Sequence, residues 1–343
     1  MGGDMNRLVA LVLVTTLLSS CYSLKQAYHF NNLFNSRVKV EDALRDPTIS
    51  DRHKKRLEFV QEVIKFAADS GLNTEGAYEY YIHTESGSVS FLVQAAERDK
   101  LRFKKWWFPI VGSVPYLGFF EKEDRDSKFE ALSHKYDVAK GTVGAFSSLG
   151  WFEDPIYTSM IKRKPIDLAH LFFHELIHRT FWSSGSVKFN ENLAEFGAEI
   201  LTSQFLESRG EPSDIDIYFA RRRDKEKFKR WLKSLQKDLR ALYKSSKSRA
   251  EKLSRKEEII ESYKKNRLPN FETKRFSYIA RKKWNNASIL GASLYTPDTA
   301  RFYKAYRCDG EPNLGVFFKK LESYEDEHDD VFVALDSFCQ QKG

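Results

Sequence analysis

Two histidines lie four positions apart in the segment His174-Glu175-Leu176-Ile177-His178. On an α-helix such residues occupy one face, so both imidazoles can reach the same ion. The side chain of Glu175 can extend toward the same point. The residues before His174 are strongly apolar, which predicts a buried helix. Zinc binds neutral imidazole nitrogen well, and a catalytic zinc usually has three protein ligands, so a further ligand must come from elsewhere in the chain.

A second helical motif supplies the candidate third ligand. It reads Phe189-Asn190-Glu191-Asn192-Leu193-Ala194-Glu195-Phe196 and follows a short turn. Glu191 is predicted to bind the ion, and Glu195, one turn further on the same face, to accept a hydrogen bond from the other ring nitrogen of a ligating histidine. Two alternatives stay open: Glu195 could be the ligand with Glu191 in support, or both could be incidental acids on amphipathic helices. The main prediction is one zinc ion per chain, held by His174, His178 and Glu191.

The N-terminus has the pattern of an export signal. Residues 8–18 form an apolar run behind Arg7, which is shorter than the roughly 20 residues that span a bilayer. The run ends in Leu18-Ser19-Ser20-Cys21, which matches the lipobox of bacterial lipoproteins and predicts removal of residues 1–20 and acylation of Cys21. An ordinary signal peptide or a membrane anchor with an incidental cysteine is the alternative. The prediction places the chain in the bacterial cell envelope, lipid-anchored on a periplasmic or outer surface, and not in the cytoplasm.

Positive charge is concentrated in residues 221–267. This stretch holds 19 Lys and Arg against 7 Asp and Glu, a net charge of +12 in a chain whose total is +8. Apolar residues recur at helical spacing from Phe228 to Tyr243, and residues 245–248 predict a turn, so we expect a basic helical hairpin. Its basic face is either a solvated surface of a hairpin packed on the core or a contact for anionic phospholipid near the anchor. Nucleic acid is not an expected partner, because the chain lacks stacking and groove-reading motifs.

The remaining pattern predicts an α+β fold that is predominantly helical. Residues 41–69 carry apolar side chains at helical spacing, and Gly71 follows as a helix-ending residue. The stretches 106–112 and 141–150 are aromatic and β-branched and are broken by glycine, which predicts short strands with a helix around 125–136 between them. A small strand region therefore precedes the helix that carries the two histidines.

After the signal peptide, residues 21–343 are predicted to form a single unit. It begins with an N-terminal helical and strand region (22–160), followed by the helices of the zinc site (161–210). The basic hairpin (211–284) and a C-terminal helical region (285–343) complete it. Near the C-terminus, Cys308 and Cys339 could pair in an oxidising compartment or could remain two buried thiols.

The motif His174–His178 followed by FNENLAEF resembles the gluzincin metallopeptidases. The ordered set of motifs is similar to a bacterial family of predicted aminopeptidases, many of them lipoproteins. The resemblance continues through residues 108–112, 115–120, 144–155 and 285–287 and through the basic hairpin, so it covers nearly the whole mature chain. Leu117 departs from the arginine expected at its position, and Trp107 and Ser113 stand where cysteines are more frequent in that family.

The resemblance implies a zincin-like fold and zinc-dependent hydrolysis of peptide bonds, with aminopeptidase action preferred. It implies that Glu175 activates a zinc-bound water and passes the proton to the departing amine, and that Tyr295 stabilises the oxyanion. It also implies that a strand containing Gly144, Ala145 and Phe146 binds the substrate backbone, unless this is only an edge strand with glycine bulges. The alternatives are an endopeptidase or amidase of the envelope, or a non-catalytic zinc-fold lipoprotein. The presence of Glu175 argues against the last, because a structural zinc needs no general base.

Overall fold

We describe the protein from a computed structural model, which covers residues 25, 28, 29, 31–84, 89–108, 112–143, 154–210, 212–294, 298–328 and 330–340. The predicted signal peptide and Cys21 lie outside the described residues, as do Gly144, Ala145, Phe146 and Tyr295.

Helices account for most of the described chain. They are α1 (Val40–Arg45), α2 (Asp51–Asp69), α3 (Lys122–Ser133), α4 (Thr158–Ile161), α5 (Pro165–Thr180), α6 (Val187–Ser208), α7 (Pro212–Lys244), α8 (Arg249–Asn266), α9 (Asn286–Leu294), α10 (Ala300–Cys308), α11 (Leu314–Asp326) and α12 (Val331–Ser337), with a 3₁₀ turn at Lys274–Phe276. None of the helices in the described ranges combines the length and the apolar character that a membrane crossing requires.

Short strands form three small sheets. The strands are β1 (Val38–Lys39), β2 (Tyr80–Ile82), β3 (Ser90–Ala96), β4 (Trp106–Phe108), β5 (Gly112–Val114), β6 (Leu117–Phe119), β7 (Asp137–Val143) and β8 (Ile156–Tyr157). The sheet orders are β1-β2-β8, β6-β3-β7 and β4-β5. Strand β7 runs antiparallel to β3, from the pair Ala96–Asp137 to the pair Ser90–Val143. The described chain is therefore α+β and mostly helical.

Two predicted elements have different bounds in the structure. The single helix predicted over 41–69 is wrong, because the chain forms α1 and α2 with a break at 46–50. Pro47 causes the break: the residue before a proline avoids the helical conformation, and Asp46 has a ψ of 118°. Ser50 then caps α2 by accepting a hydrogen bond from the backbone N–H of His53. The strand predicted over 141–150 begins earlier, at Asp137, and its part after residue 143 lies outside the described residues.

The main hydrophobic core surrounds α5 and α6. Phe172, Phe173 and Leu176 on α5 are fully buried, as is Phe196 on α6. Gly197 lets the two helices approach closely, because a Cβ at this position would lie 2.6 Å from Cδ1 of Ile177. The two helices expected to carry the zinc ligands therefore lie at the centre of the molecule.

The region predicted as a basic hairpin forms α7 and α8. Apolar residues of α7, including Trp231 and Leu235, pack with Ile260 of α8 in a second buried cluster. Ser248 in the connecting turn caps α8: its hydroxyl accepts from the N–H of Glu251 at 3.3 Å, and its own N–H donates to the Glu251 carboxylate at 2.9 Å. The hairpin is thus a packed part of the fold.

A disulfide joins the last helices. Cys308, at the end of α10, pairs with Cys339, just after α12, and their Cα atoms are 5.2 Å apart. Of the two possibilities that the sequence left open for these cysteines, the structure has the disulfide.

Candidate metal centre

Helix α5 is built to present a row of histidines. Pro165 occupies its first turn, where the missing N–H costs no hydrogen bond, and the helix ends where Phe181 turns extended. His170, His174 and His178 follow one another at intervals of four residues, so they lie along one face. Many of the other residues of α5 are buried in the core, and this packing fixes the orientation of the helix about its own axis.

The turn from α5 to α6 is held by an asparagine next to Glu191. The side chain of Asn190 accepts a hydrogen bond from the N–H of Ser183 at 2.9 Å and donates to its carbonyl at 2.8 Å. Asn192 accepts from the N–H of Asp298 at 2.9 Å. Both residues are buried, so the first turns of α6 are tied down on either side of Glu191.

The three predicted ligands come together. Nε2 of His174 lies 3.2 Å from Nε2 of His178 and 3.5 Å from Oε2 of Glu191, whereas Nε2 of His178 lies 3.5 Å from Oε1 of the same carboxylate. The three residues form the group of candidate metal ligands identified among the described residues. The His178 side chain is 5% exposed and that of Glu191 50% exposed, so the triangle opens toward solvent on the carboxylate side.

The dimensions of this triangle suit zinc. With zinc–ligand bonds of about 2.0–2.1 Å, tetrahedral geometry places neighbouring ligand atoms about 3.3 Å apart. The two imidazole nitrogens are 3.2 Å apart, close to that value, and each lies 3.5 Å from one of the two oxygens of the Glu191 carboxylate. Two imidazoles and one carboxylate, leaving a fourth position for solvent, are also a donor set found in catalytic zinc sites.

Electrostatics around the triangle favour a bound cation. Burial alone would lower the pKa of His174, but the nearby carboxylates, led by Glu191, outweigh it and raise the pKa. Burial lowers the pKa of His178 to about 4, so its imidazole is neutral near neutral pH. Burial would raise the pKa of Glu191, but the two histidines outweigh it and lower that pKa. Neutral imidazole and ionised carboxylate are the forms that bind zinc.

Glu195 lies beside the triangle but makes different contacts from those predicted. Its Oε2 is 4.0 Å from Nδ1 of His174, which is too long for a hydrogen bond, and 3.4 Å from Nε2 of His170. Its other oxygen accepts from the ammonium group of Lys225 on α7. Burial would raise the pKa of Glu195, but His170 and Lys225 hold it well below its usual range. At this distance Glu195 makes no direct hydrogen bond to His174, so its support of a ligating histidine stays a prediction.

His170 and Lys225 are the residues of this site that the sequence analysis missed. Nδ1 of His170 is 3.5 Å from the hydroxyl of Thr202 and 3.4 Å from that of Tyr218, so α5, α6 and α7 meet at this ring. The signal for His170 was present, because it lies one turn before His174 on the same face. Lys225 gave no local signal, since α7 reaches the site only through tertiary packing.

The triangle lies in a cleft of about 980 Å³. Glu175 lines the cleft together with His174, His178, Glu191 and Glu195. Residues 139–142 of β7 form part of its wall, and β3, α7, α9 and the segment around 275–282 also contribute to it. The predicted oxyanion residue Tyr295 and the predicted backbone-binding residues Gly144, Ala145 and Phe146 lie outside the described residues.

Comparison with known proteins identifies one family. The family described as Aminopep, putative aminopeptidase, matches residues 21–331, which include both motif helices, the basic hairpin and the strand region. No curated protein and no solved structure matches the chain.

Proposed function

The chain belongs to the putative aminopeptidase family, and we propose that it is a zinc-dependent peptidase whose single ion is held by His174, His178 and Glu191. The observation that carries the proposal is the convergence of His174, His178 and Glu191 in a cleft large enough for a peptide: the two imidazole nitrogens are 3.2 Å apart, and each lies 3.5 Å from one of the two carboxylate oxygens. The order of the elements, with an edge strand, a helix bearing HExxH and a second helix bearing the glutamate, supports a zincin-like fold.

Zinc bound at this point would supply Lewis acidity, which lowers the pKa of a water and polarises the scissile carbonyl. The protein's own contribution is proton transfer by Glu175. As the residue next to His174 on α5 and a lining residue of the cleft, it can take a proton from the attacking water onto its carboxylate and return it to the departing amine. A structural metal site has no use for a carboxylate in this position.

The peptide is proposed to lie along β7. This strand pairs with β3 on one side, and among the described residues it forms an edge of its sheet. An extended peptide can add to such an edge through main-chain hydrogen bonds, which depend little on the side chains of the substrate. Residues 139–142 line the cleft, and Gly144, Ala145 and Phe146 continue in sequence from the same strand.

The decisive experiment compares the parent protein with Glu175→Gln. We expect the variant to keep about one zinc per chain and to lose peptide hydrolysis by several orders of magnitude. Glu58→Gln, which changes an exposed glutamate on α2 in the same way, is the matched control and should match the parent. Equal cleavage by Glu175→Gln and the parent would rule out the mechanism.

The metal ligands need a separate test. His174→Ala combined with His178→Ala should abolish zinc binding in elemental analysis, whereas His134→Ala, which removes an exposed histidine at the end of α3, should not. Unchanged zinc in the double variant would show that the triangle is not the site.

The subtype is tested with one peptide in two forms, with a free and with an acetylated N-terminus. An aminopeptidase cleaves the free form and releases its first residue. Preference for the acetylated form would identify an endopeptidase or amidase instead, and a protein that holds zinc but cleaves neither form would be a non-catalytic zinc-fold protein.

A further inference from the structure

Many cations of the hairpin are neutralised inside the protein. Arg222 of α7 pairs with Glu199 at 2.9 Å, Lys225 pairs with Glu195, and Lys256 of α8 pairs with Asp137 of β7 at 2.8 Å. These cations hold the hairpin against the metal-site helices and the sheet. The high positive charge of residues 221–267 is therefore partly structural, and only the cations left over can serve an external partner.

Five of the remaining cations form a stripe on α7. They follow one another at intervals of three, four, three and four residues, and all are exposed: Arg230, Lys233, Lys237, Arg240 and Lys244. At 100° per residue they fall within an arc of about 80°, and they extend over about 21 Å of helix. We call these five residues the basic stripe.

The basic stripe has no counter-charge within the described part of the chain. None of its members has an ion-pair or hydrogen-bonding side-chain partner there, and the residues between them on the same face are Ser234 and Ala241. The nearest acid in sequence, Asp238, is used elsewhere, since it accepts from the Tyr263 hydroxyl at 2.7 Å and from Arg267 at 3.2 Å. Like charges three and four residues apart destabilise a helix, so this arrangement does not contribute to the stability of the folded chain.

A concavity adjoins the stripe. It has a volume of about 460 Å³ and lies between α7 and the end of α8. Arg230 and Lys237 of the stripe line it, as does the ion pair between Asp238 and Arg267. The rings of Trp231 and Tyr263 contribute to its wall, and Lys227 adds a further cation. Its size and its cations suit a phosphate-bearing headgroup.

We propose that the basic stripe is a docking surface for an anionic membrane, with phospholipid headgroups as its ligands. Charge complementarity supports this occupant, because a row of exposed Lys and Arg side chains can bind many phosphate groups on a membrane surface, whatever the arrangement of those groups. Single-stranded nucleic acid fits less well, because it requires exposed aromatic rings, and the rings of Phe228 and Trp231 are buried. The lipid anchor predicted at Cys21 would hold the chain near such a surface.

The proposed surface is separate from the cleft and does not depend on the proposed function. Lys225 and Phe228, which line the cleft, lie on a different face of α7 from the stripe. Docking through the stripe therefore leaves the metal centre accessible to substrate.

Vesicle binding tests the proposal. The full chain carrying Cys21→Ser, so that no acyl chain contributes, is sedimented with phosphatidylcholine vesicles with and without phosphatidylglycerol. The difference between the two vesicles isolates the electrostatic part of binding. We expect it to be lost in high salt and to fall roughly a hundredfold in the triple variant Lys233→Gln, Lys237→Gln, Arg240→Gln, since each cation near an anionic surface contributes about fivefold.

Two matched variants control for net charge and for folding. Arg52→Gln, Lys55→Gln, Lys65→Gln removes three exposed cations from α2 and should bind as the parent does. Lys233→Arg, Lys237→Arg, Arg240→Lys keeps the charge and should also bind. Thermal unfolding of each variant checks the fold.

Three results would overturn the proposal. The first is an equal loss in the α2 and stripe variants, which would mean that only net charge matters. The second is unchanged binding of a folded stripe variant. The third is a stripe variant that loses affinity for a labelled oligonucleotide but not for vesicles, which would assign the surface to nucleic acid.

Discussion

His170 and Glu195 form a contact of 3.4 Å between Nε2 and Oε2 directly behind the metal-ligand triangle. The same oxygen lies 4.0 Å from Nδ1 of His174, one of the three proposed ligands. Because Lys225 binds the other oxygen, Glu195 is held by residues from two helices. The candidate site thus has a second layer of residues, in which Glu195 contacts His170 and Lys225 beside the three proposed ligands.

This layer predicts how Glu195 affects the metal. Glu195→Gln removes a buried negative charge near His174 and leaves Lys225 without its partner, so zinc affinity should fall about 10- to 100-fold. Competition with a chromophoric chelator measures this change. Glu207→Gln, an exposed residue on the same helix, is the control and should leave the affinity unchanged. Equal affinities for Glu195→Gln and the parent would show that Glu195 has no such role.

The proposed zinc site predicts a pH dependence of zinc binding, which follows from the pKa values of His174 and His178. The pKa of His174 is raised, so zinc must displace a proton from this ring when the pH lies below that pKa. Affinity should therefore fall as the pH decreases through the raised pKa of His174, by about tenfold per pH unit for one displaced proton. Because the pKa of His178 is about 4, a second proton should affect binding only in stronger acid.

Calorimetric titration in buffers of different ionisation enthalpy measures the protons released. An affinity that does not change between neutral and mildly acidic pH would contradict the assignment of His174 as a ligand.

The backbone contact between Gly71 and Gly315 predicts a stability effect unrelated to the site. A Cβ on Gly315 would lie 2.8 Å from both the Cα and the carbonyl oxygen of Gly71, and neither backbone atom can move aside as a side chain would. Gly315→Ala should lower the free energy of unfolding by about 1–3 kcal/mol, measured by urea denaturation. Gly118→Ala, where no atom lies within 4 Å of the added methyl group, should change it little.

If Cys21 carries the lipid that we propose, two variants should differ chemically. In cells fed a labelled fatty acid, the parent and Ser23→Ala should carry the label, whereas Cys21→Ser should not. The disulfide between Cys308 and Cys339 supports an exported chain, because disulfides persist outside the reducing cytoplasm. Persistent labelling of Cys21→Ser would exclude this cysteine as the attachment site.

The sequence predicted that His174, His178 and Glu191 come together, because this cluster depends largely on local periodicity. His174 and His178 share a face on any helix, and only the approach of Glu191 required a tertiary contact between neighbouring helices. The sequence did not predict Lys225 or the buried pair of Lys256 and Asp137, because those contacts depend on how the hairpin folds back over the sheet. The break between α1 and α2 could have been predicted from Pro47. The helical spacing of the apolar residues over 41–69 favoured one continuous helix instead.

Helix α7 is a single helix of 33 residues that contacts the metal centre through Lys225 and carries the basic stripe further along. Its two faces cannot turn independently, so resting the stripe on a bilayer would also fix the tilt of the cleft above the lipid. A peptidase mounted in this way would meet polypeptides from one direction only. Its choice of substrates would then depend on how far a chain end projects from the membrane as well as on the amino acids at that end.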